Sequence, residues 1–248
     1  MLSALRRLFS TSDLLAFNLR DRDRWIAAQA ASVLAGSRVL DVGAGSAPYR
    51  GLFDHCDYKT QDFSQLRDDQ LRHGGYAPID VVSEANAIPV PDASFDVIVC
   101  TEVLEHVPEP IAVVREFGRI VAPGGRLILT APLGSGIHQE PYHFYGGYTP
   151  YWYRRFLQEA GFDSIAVTAN AGTLRHVAQE TIRFVRMTRP FGFDAPWYVQ
   201  LLWLPFWLIL APILAFGVPL AARLLDRFDR EQRFTVGYHV TAIRQRAS

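Results

Sequence analysis

The chain is poor in lysine, in cysteine and in net charge. Lys59 is the only lysine, so nearly every cation is an arginine, which reflects composition and points to no particular chemistry. The 25 basic residues balance 25 acidic ones, and the pI is about 7.1. With no global field to draw in a polyanion, charge argues for no nucleic acid partner. The two cysteines, Cys56 and Cys100, lie far apart without a C-x-x-C, which excludes a disulfide framework and a cysteine zinc site and fits a reducing cytoplasm. The opening "MLSALRRLFSTSDLLAFNLR" lacks the long apolar core and the cleavage site of a secretory signal, so a short amphipathic helix is expected there. At 248 residues the chain can bury one large core, or one domain carrying an insertion.

What is present is an alternation of apolar runs and helical stretches, the pattern of an α/β sheet. "RVLDVG" (38–43), "YKTQDF" (58–63), "IDVVSEA" (79–85), "FDVIVCT" (95–101), "GRLILTAP" (125–132), "DSIAVTAN" (163–170) and "RFTVGYHVTAI" (233–243) read as strands. Between them, 108–125 carries Ile111, Val114, Phe117, Ile120 and Val121 at helical spacing before Pro-Gly-Gly, and 149–162 repeats the plan. The expected organisation is a helical N-terminal segment (1–36), a core (37–170), a hydrophobic helical insertion (171–233) and a last core strand with its tail (234–248).

"DVGAGSAP" (41–48), between a strand and an expected helix, is the arrangement that receives a nucleotide-like ligand in an open parallel sheet. Gly43 and Gly45 let the backbone approach a ligand closely, and a following helix N-terminus would offer free N–H groups. A lone G-x-G is weak evidence, since a tight strand-to-helix turn needs no ligand. Asp62, 19 residues after Gly43 at a strand end, can accept hydrogen bonds from two ribose hydroxyls. Glu84, at the next strand end, can meet an adenine amino group. Three acids, Asp41, Asp62 and Glu84, at successive strand ends beside two glycines make coincidence a poor explanation.

"VLDVGAGSAPYR", "DFS", "SEANAIPVPDASFDVIVCTEVLEHVPEP" and "VAPGGRLILTAP" together resemble the ordered motifs of class I S-adenosylmethionine-dependent methyltransferases, in particular the type 11 subgroup. The resemblance covers roughly residues 36–170, and "GYHVTAI" is similar to the family's final strand. It implies a Rossmann-like seven-stranded sheet, mostly parallel with an antiparallel last strand, and S-adenosyl-L-methionine bound along the strand ends. By position it would set Asp41, Gly43 and Gly45 against the methionine part, Asp62 on the ribose, Glu84 and Ala85 at the adenine, and Thr101 and Glu102 near the sulfonium. Two departures stand out: Ala47 replaces a common third glycine, and Glu84 stands where Asp is common. A nicotinamide dinucleotide would use the same acid and glycine logic. Yet "GAGSAP" lacks that fingerprint's third glycine, and "TEVLEHVPEP" and "APGGRL" have no place in a hydride-transfer signature.

Methyl transfer from a sulfonium needs chiefly alignment of acceptor, methyl and sulfur. A base is required only where the acceptor must lose a proton. His106 in "LEHV" and His143 in "GIHQEPYHFYGGYTPYWY" are the catalytic candidates, with His138 beside them. The 138–153 stretch, with two histidines, five tyrosines and a tryptophan, is expected to close over an acceptor, although a packed surface loop would read the same. His138, Glu140 and His143 at i, i+2, i+5 match no trusted metal spacing, and no metal is expected.

Residues 171–233 have no counterpart in a minimal domain of this type. Leu174, Val177, Ala178, Ile182 and Val185 share one helical face while Arg175, Gln179, Arg183 and Arg186 share the other, the build of an interfacial helix or of a helix lying on its own core. From Ala195 to Ala222 there are 28 residues without a charge, with Pro205, Pro212 and Pro219 seven apart and arginines at both flanks. Length permits a membrane span, but strands on either side that pair with each other do not permit a single crossing. A re-entrant hairpin or a bent helix lying in one leaflet meets both constraints, as does a buried homo-oligomer interface. The function expected is methyl transfer at the cytoplasmic face of a membrane to an apolar or lipid-linked acceptor. The alternatives are a methyltransferase for a soluble small molecule with the insertion as dimer interface, or a non-catalytic binding protein recruited to membranes.

Overall fold

The computed structural model describes residues 17–246. Residues 1–16 of the opening stretch 1–20, where a short amphipathic helix is expected, lie outside them. Helix α1 runs from Phe17 to Ala30, and the strands follow as β1 (Arg38–Val42), β2 (Asp57–Asp62), β3 (Val81–Val82), β4 (Phe95–Thr101), β5 (Val121–Pro132), β6 (Phe162–Ala169) and β7 (Gly237–Arg244). They form one seven-stranded sheet in the order β3-β2-β1-β4-β5-β7-β6. β1 pairs in parallel with β2 and β4, β4 with β5, while β7 runs antiparallel to β5, setting Leu129 opposite Val240. This is the Rossmann-like α/β fold with an antiparallel last strand, and an apolar helical stretch precedes that strand.

The described residues divide into two compact units, one of residues 22–168 and 237–246, the other of residues 17–21 and 169–236. In the first, β1 is buried at four of its five positions, as a central parallel strand must be. Ile26, Ala30 and Val33 pack with Val39, Val97, Val99 and Ile128 beside Phe53 and Tyr49. Helices α2 (Pro110–Ile120) and α3 (Pro150–Glu159) each begin with Pro at the first turn, where its missing N–H costs nothing. α2 buries Val113, Val114, Phe117 and Ile120, the period expected for it.

The last strand starts four residues later than expected, at Gly237, and two other elements depart further from their patterns. No helix follows "DVGAGSAP"; only a 3-10 turn, Arg50–Phe53, is formed, because Pro48, Gly51 and the polar "DHCD" leave too few periodic apolar residues to continue it. The N–H groups at this site therefore come from a loop and not from a helix end. β3 shrinks from the expected seven residues to Val81–Val82. Upstream of it the Asp80 carboxylate accepts hydrogen bonds from the backbone N–H of Thr60 (2.8 Å) and from its hydroxyl (2.9 Å), so side-chain bonding replaces the ladder at this edge.

The second unit holds helix α4 (Thr173–Met187) and an apolar helical rod that starts as α5 (Trp197–Pro212), passes through a π-helical turn (Ile213–Gly217) and continues as α6 (Val218–Leu225). The rod is continuous from Trp197 to Phe228, which corrects the expectation of a re-entrant hairpin within it. The proline effect is a change of helical pitch: Pro205 is accommodated inside α5, and the wider π turn follows Pro212. α4 packs along the rod through Trp203 Nε1, which donates to the Thr188 carbonyl (2.8 Å), and Thr181, whose hydroxyl donates to the Leu214 carbonyl (2.9 Å). The carboxylates of Asp226 and Asp229 accept from the backbone N–H groups of Gly172 (2.8 Å), Thr173 (2.7 Å) and Arg175 (3.0 Å), capping α4.

Candidate functional site

A cleft of about 320 Å³ opens at the carboxyl ends of β1, β2 and β4, where an open parallel sheet leaves its crevice. Asp41, Gly43, Gly45, Asp62, Glu84, Ala85, Thr101, Glu102 and His106 all line it. The loop after β1 is shaped by left-handed backbone. Gly43 has φ +69°, and a Cβ there would lie 2.3 Å from Val103 Cγ2, so only glycine fits. Gly45 has φ +53° and donates its N–H to Asp62 Oδ2 at 2.9 Å, while Asp62 Oδ1 accepts from Ser64 N at 2.8 Å. That carboxylate is thus aimed along the cleft by two backbone donors. Ala47, in place of the common glycine, also sits at positive φ, +46°, a conformation that strains a side chain. Glu84 lies two residues beyond the short β3 and is exposed at the rim, and Ala85 is buried beside it.

Asp41 is 2% exposed and accepts a hydrogen bond from the Tyr58 hydroxyl at 2.5 Å. Burial pushes its pKa up to about 7, with repulsion from Asp62 adding to the effect and Tyr58 opposing it. Arg50 is the weakest of the influences on this acid, and a ligand carrying an ammonium or a sulfonium would favour its ionised form further.

Thr101 ends β4, and Glu102 follows in left-handed backbone, φ +54°. Its carboxylate accepts from the Thr130 hydroxyl at 2.9 Å and pairs with Arg22 Nη1 at 3.2 Å. Arg22, from α1, also lines the cleft. Burial lowers the guanidinium pKa, but Glu102 and Tyr49 outweigh it and the net shift is upward. No motif singles Arg22 out, because it stands within a run of alternating charges, "RDRDR".

The loop after β5 lies over the cleft. Gln139 Nε2 donates to the Gln70 carbonyl (2.9 Å) and Gln70 Nε2 to the Glu140 carbonyl (3.0 Å), while Tyr142 OH donates to Gln65 Oε1 (2.9 Å). On its other side Tyr148 OH donates to the Leu104 carbonyl (2.6 Å) and Tyr145 OH to that of Pro108 (2.9 Å). Stitched from both sides, it brings Tyr142 and Phe144 onto the cleft wall. His106 Nδ1 lies 2.5 Å from the Tyr142 carbonyl. Since a carbonyl only accepts, Nδ1 carries the proton and Nε2 a free lone pair. Burial drives the His106 pKa down to about 4 against the pull of that carbonyl. His143 does not line the cleft but its ring is 5.6 Å from that of His106, with His138 4.7 Å from both. Glu105, 1% exposed, faces His106 Nε2 at 3.8 Å, and burial with the nearby Glu102 pushes its pKa well up. The sequence pattern grouped His138 with Glu140 and His143; the fold keeps His143 beside it and adds Glu105 and His106.

A methyltransferase-domain family model matches residues 15–181, well over half of the chain. Among curated proteins the chain is similar to the ubiquinone biosynthesis O-methyltransferase of Pseudomonas aeruginosa (strain LESB58), 35% identical over 119 residues that cover 44% of this chain and 49% of that protein. It is likewise similar to the enzyme of the same name from Xanthomonas euvesicatoria, 34% identical over 104 residues, 39% of this chain and 44% of that one. The match spans about half the length of these relatives. Among solved structures, the [4+2]-cyclase SpnF superposes with a TM-score of 0.54 at 19% identity, covering 92% of this chain and 81% of that one. Phosphoethanolamine N-methyltransferase 2 of Haemonchus contortus, in complex with S-adenosyl-L-methionine, gives 0.52 at 16% identity, covering 91% and 52%. At such identities these two establish the shared fold. With the cleft, its glycine loop and the family match taken together, the chain belongs to the S-adenosyl-L-methionine-dependent class I methyltransferases.

Proposed function

We propose that the chain transfers the methyl group of S-adenosyl-L-methionine to an oxygen of an apolar or lipid-linked acceptor at the cytoplasmic face of a membrane. Asp41, Gly43 and Gly45 receive the methionine part, Asp62 the ribose, Glu84 and Ala85 the adenine, with Thr101 and Glu102 flanking the sulfonium. The cofactor supplies an activated methyl; the protein holds it in line with the acceptor and excludes water beneath the 138–153 loop. His106 Nε2, the unprotonated nitrogen on the cleft wall, takes the proton of an acceptor hydroxyl, with His143 next in line. The name of the curated relatives, O-methyltransferase, supports oxygen as the acceptor atom.

The observation that carries the membrane reading is the apolar rod Trp197–Phe228, whose most apolar window is only 6% buried. Leu202 is 71% exposed, Ile209 66% and Phe206 62%. Soluble surfaces rarely carry so large a contiguous apolar patch. Both ends of the insertion connect to β6 and β7, which are neighbours in the sheet, so a single crossing cannot serve. α4 carries Arg175, Glu180, Arg183 and Arg186, too many charges for a second span. Shallow insertion of the rod, with Arg186, Arg189, Arg223 and Arg227 toward anionic headgroups, meets these constraints. The test is flotation with liposomes containing phosphatidylglycerol. The full chain is expected in the lipid fraction and the doubly substituted Leu202→Arg/Ile209→Arg chain in the soluble one. A full chain that stays in solution as a dimer held by this rod overturns the membrane reading in favour of an oligomer interface.

A further inference from the structure

We propose that Glu105, His106 and His138 form a binding site for one divalent transition-metal ion at the edge of the cleft, with His143 as an adjacent fourth group. One carboxylate oxygen and one nitrogen from each histidine all lie within 4.8 Å of one another. Tetrahedral ligands about 2.1 Å from one ion are separated by about 3.4 Å, so the group must contract by at most about 1.4 Å to close. The Glu105 Oε1 to His106 Nε2 distance, 3.8 Å, is already close to that separation.

The surrounding hydrogen bonds are those of a ligand set. His106 Nδ1 donates to the Tyr142 carbonyl and His138 Nδ1 to the Gly136 carbonyl at 2.9 Å. Each ring therefore has one nitrogen fixed as a donor to backbone and keeps the other as a bare lone pair, the outer-shell arrangement that orients metal-binding imidazoles. His143 stands beside them, its Nε2 3.0 Å from Ser135 Oγ, a hydroxyl that also lies 3.3 Å from the Gly146 carbonyl. A second observation is independent of the histidines: Glu105 is buried, and its Oε2 has no hydrogen-bond partner. A cation beside it satisfies that oxygen. Two or three imidazoles with one carboxylate favour zinc, cobalt or iron over magnesium or calcium, which prefer oxygen ligands throughout.

The ion site stands on these residues alone; its use rests on the methyl-transfer reading. A bound ion would draw an acceptor hydroxyl to the cleft and ease loss of its proton. With the ion bound, the base role proposed for His106 in the ion-free chain moves to His143: the proton passes to its ring, the acceptor oxygen bonds to the methyl carbon, and the carbon–sulfur bond breaks to leave neutral thioether sulfur.

The test is a titration of the full-length chain, stripped by chelator, with Co²⁺ followed by its visible ligand-field absorption, and with Zn²⁺ by calorimetry. One equivalent should bind with the spectrum of a nitrogen-coordinated ion. His138→Ala, an exposed loop substitution, should weaken binding at least about tenfold while S-adenosyl-L-methionine affinity stays unchanged, and Glu105→Gln should do the same. No ligand-field band in the wild type, or a band that His138→Ala leaves intact, overturns the site. Loss of cofactor affinity in the stripped wild type would instead count against the cofactor assignment of the cleft.

Discussion

If Asp41 receives the cofactor as proposed, it couples proton, cofactor and stability, with a size set by its burial. Its folded pKa of about 7 stands well above the ordinary aspartate value of about 3.9 because the carboxyl is fully buried. A raised acid contributes its full stability below the unfolded pKa and loses it as pH rises through the folded one. The total is about 3 units, or about 4 kcal/mol at 1.36 kcal/mol per unit. From about pH 5.5 to about pH 8.5 the ligand-free protein should lose about 2 kcal/mol from this group. A cationic ligand reverses the balance. It prefers ionised Asp41, so below about pH 7 binding must expel a proton, and affinity should fall about tenfold per pH unit, levelling off above about pH 7.5. Asp41→Asn removes both slopes: the variant should be more stable than wild type at about pH 8.5, yet bind the cofactor about 10- to 100-fold more weakly there through loss of a charged hydrogen bond. Calorimetry with S-adenosyl-L-methionine in buffers of different ionisation enthalpy measures affinity and proton release together. Affinity flat across the range, or an Asn variant that binds like wild type, refutes the reasoning.

Three further perturbations probe separate parts of the structure. Gly43→Ala sets a Cβ 2.3 Å from Val103 at φ +69°, so it should cost about 1–3 kcal/mol and abolish cofactor binding; adding Val103→Ala should recover part of the stability in a denaturant titration but little of the binding. Ala47→Gly relieves φ +46° and should raise stability by about 0.5–1 kcal/mol, read as a higher urea midpoint at unchanged slope. Asp226→Ala removes the carboxylate that holds the Gly172 and Arg175 N–H groups, at a cost of about 1–2 kcal/mol, and amide exchange should accelerate at the start of α4 while the amides of β4 and β5 keep their protection.

The sheet was legible because central parallel strands announce themselves as short apolar runs: β1 and β4 fall where "RVLDV" and "FDVIVCT" stand, and β5 holds "GRLILTAP" but starts at Val121, which had been read as helix. β3 was overestimated because "IDVVSEA" has strand composition, whereas the competing Asp80–Thr60 hydrogen bonds are invisible to periodicity. The absent helix after the glycine loop is the opposite case, an expectation from the strand–loop–helix arrangement carried onto a segment whose own residues support only one 3-10 turn. The acids and glycines of the cleft share one wall because strand ends share one edge of a parallel sheet. Arg22 and Glu105 could not be found this way. Arg22 reaches the cleft from α1, and Glu105 meets His138 only because the loop after β5 folds back across 33 residues of chain, with the Phe144 N–H donating to the Glu105 carbonyl at 2.9 Å. In the apolar rod, seven-residue proline spacing suggested breaks, yet a π turn absorbs the missing donor without interrupting the helix.

The central claim is methyl transfer to an apolar acceptor, and labelled S-adenosyl-L-methionine tests it most directly. Purified full-length chain, incubated with liposome-reconstituted lipid extract on one side and water-soluble metabolites on the other, should place the label in the organic-extractable fraction, and Gly43→Val should abolish it. Label confined to the aqueous fraction would contradict an apolar acceptor, and no transfer to either, with cofactor binding intact, would contradict the methyltransferase reading of this chain.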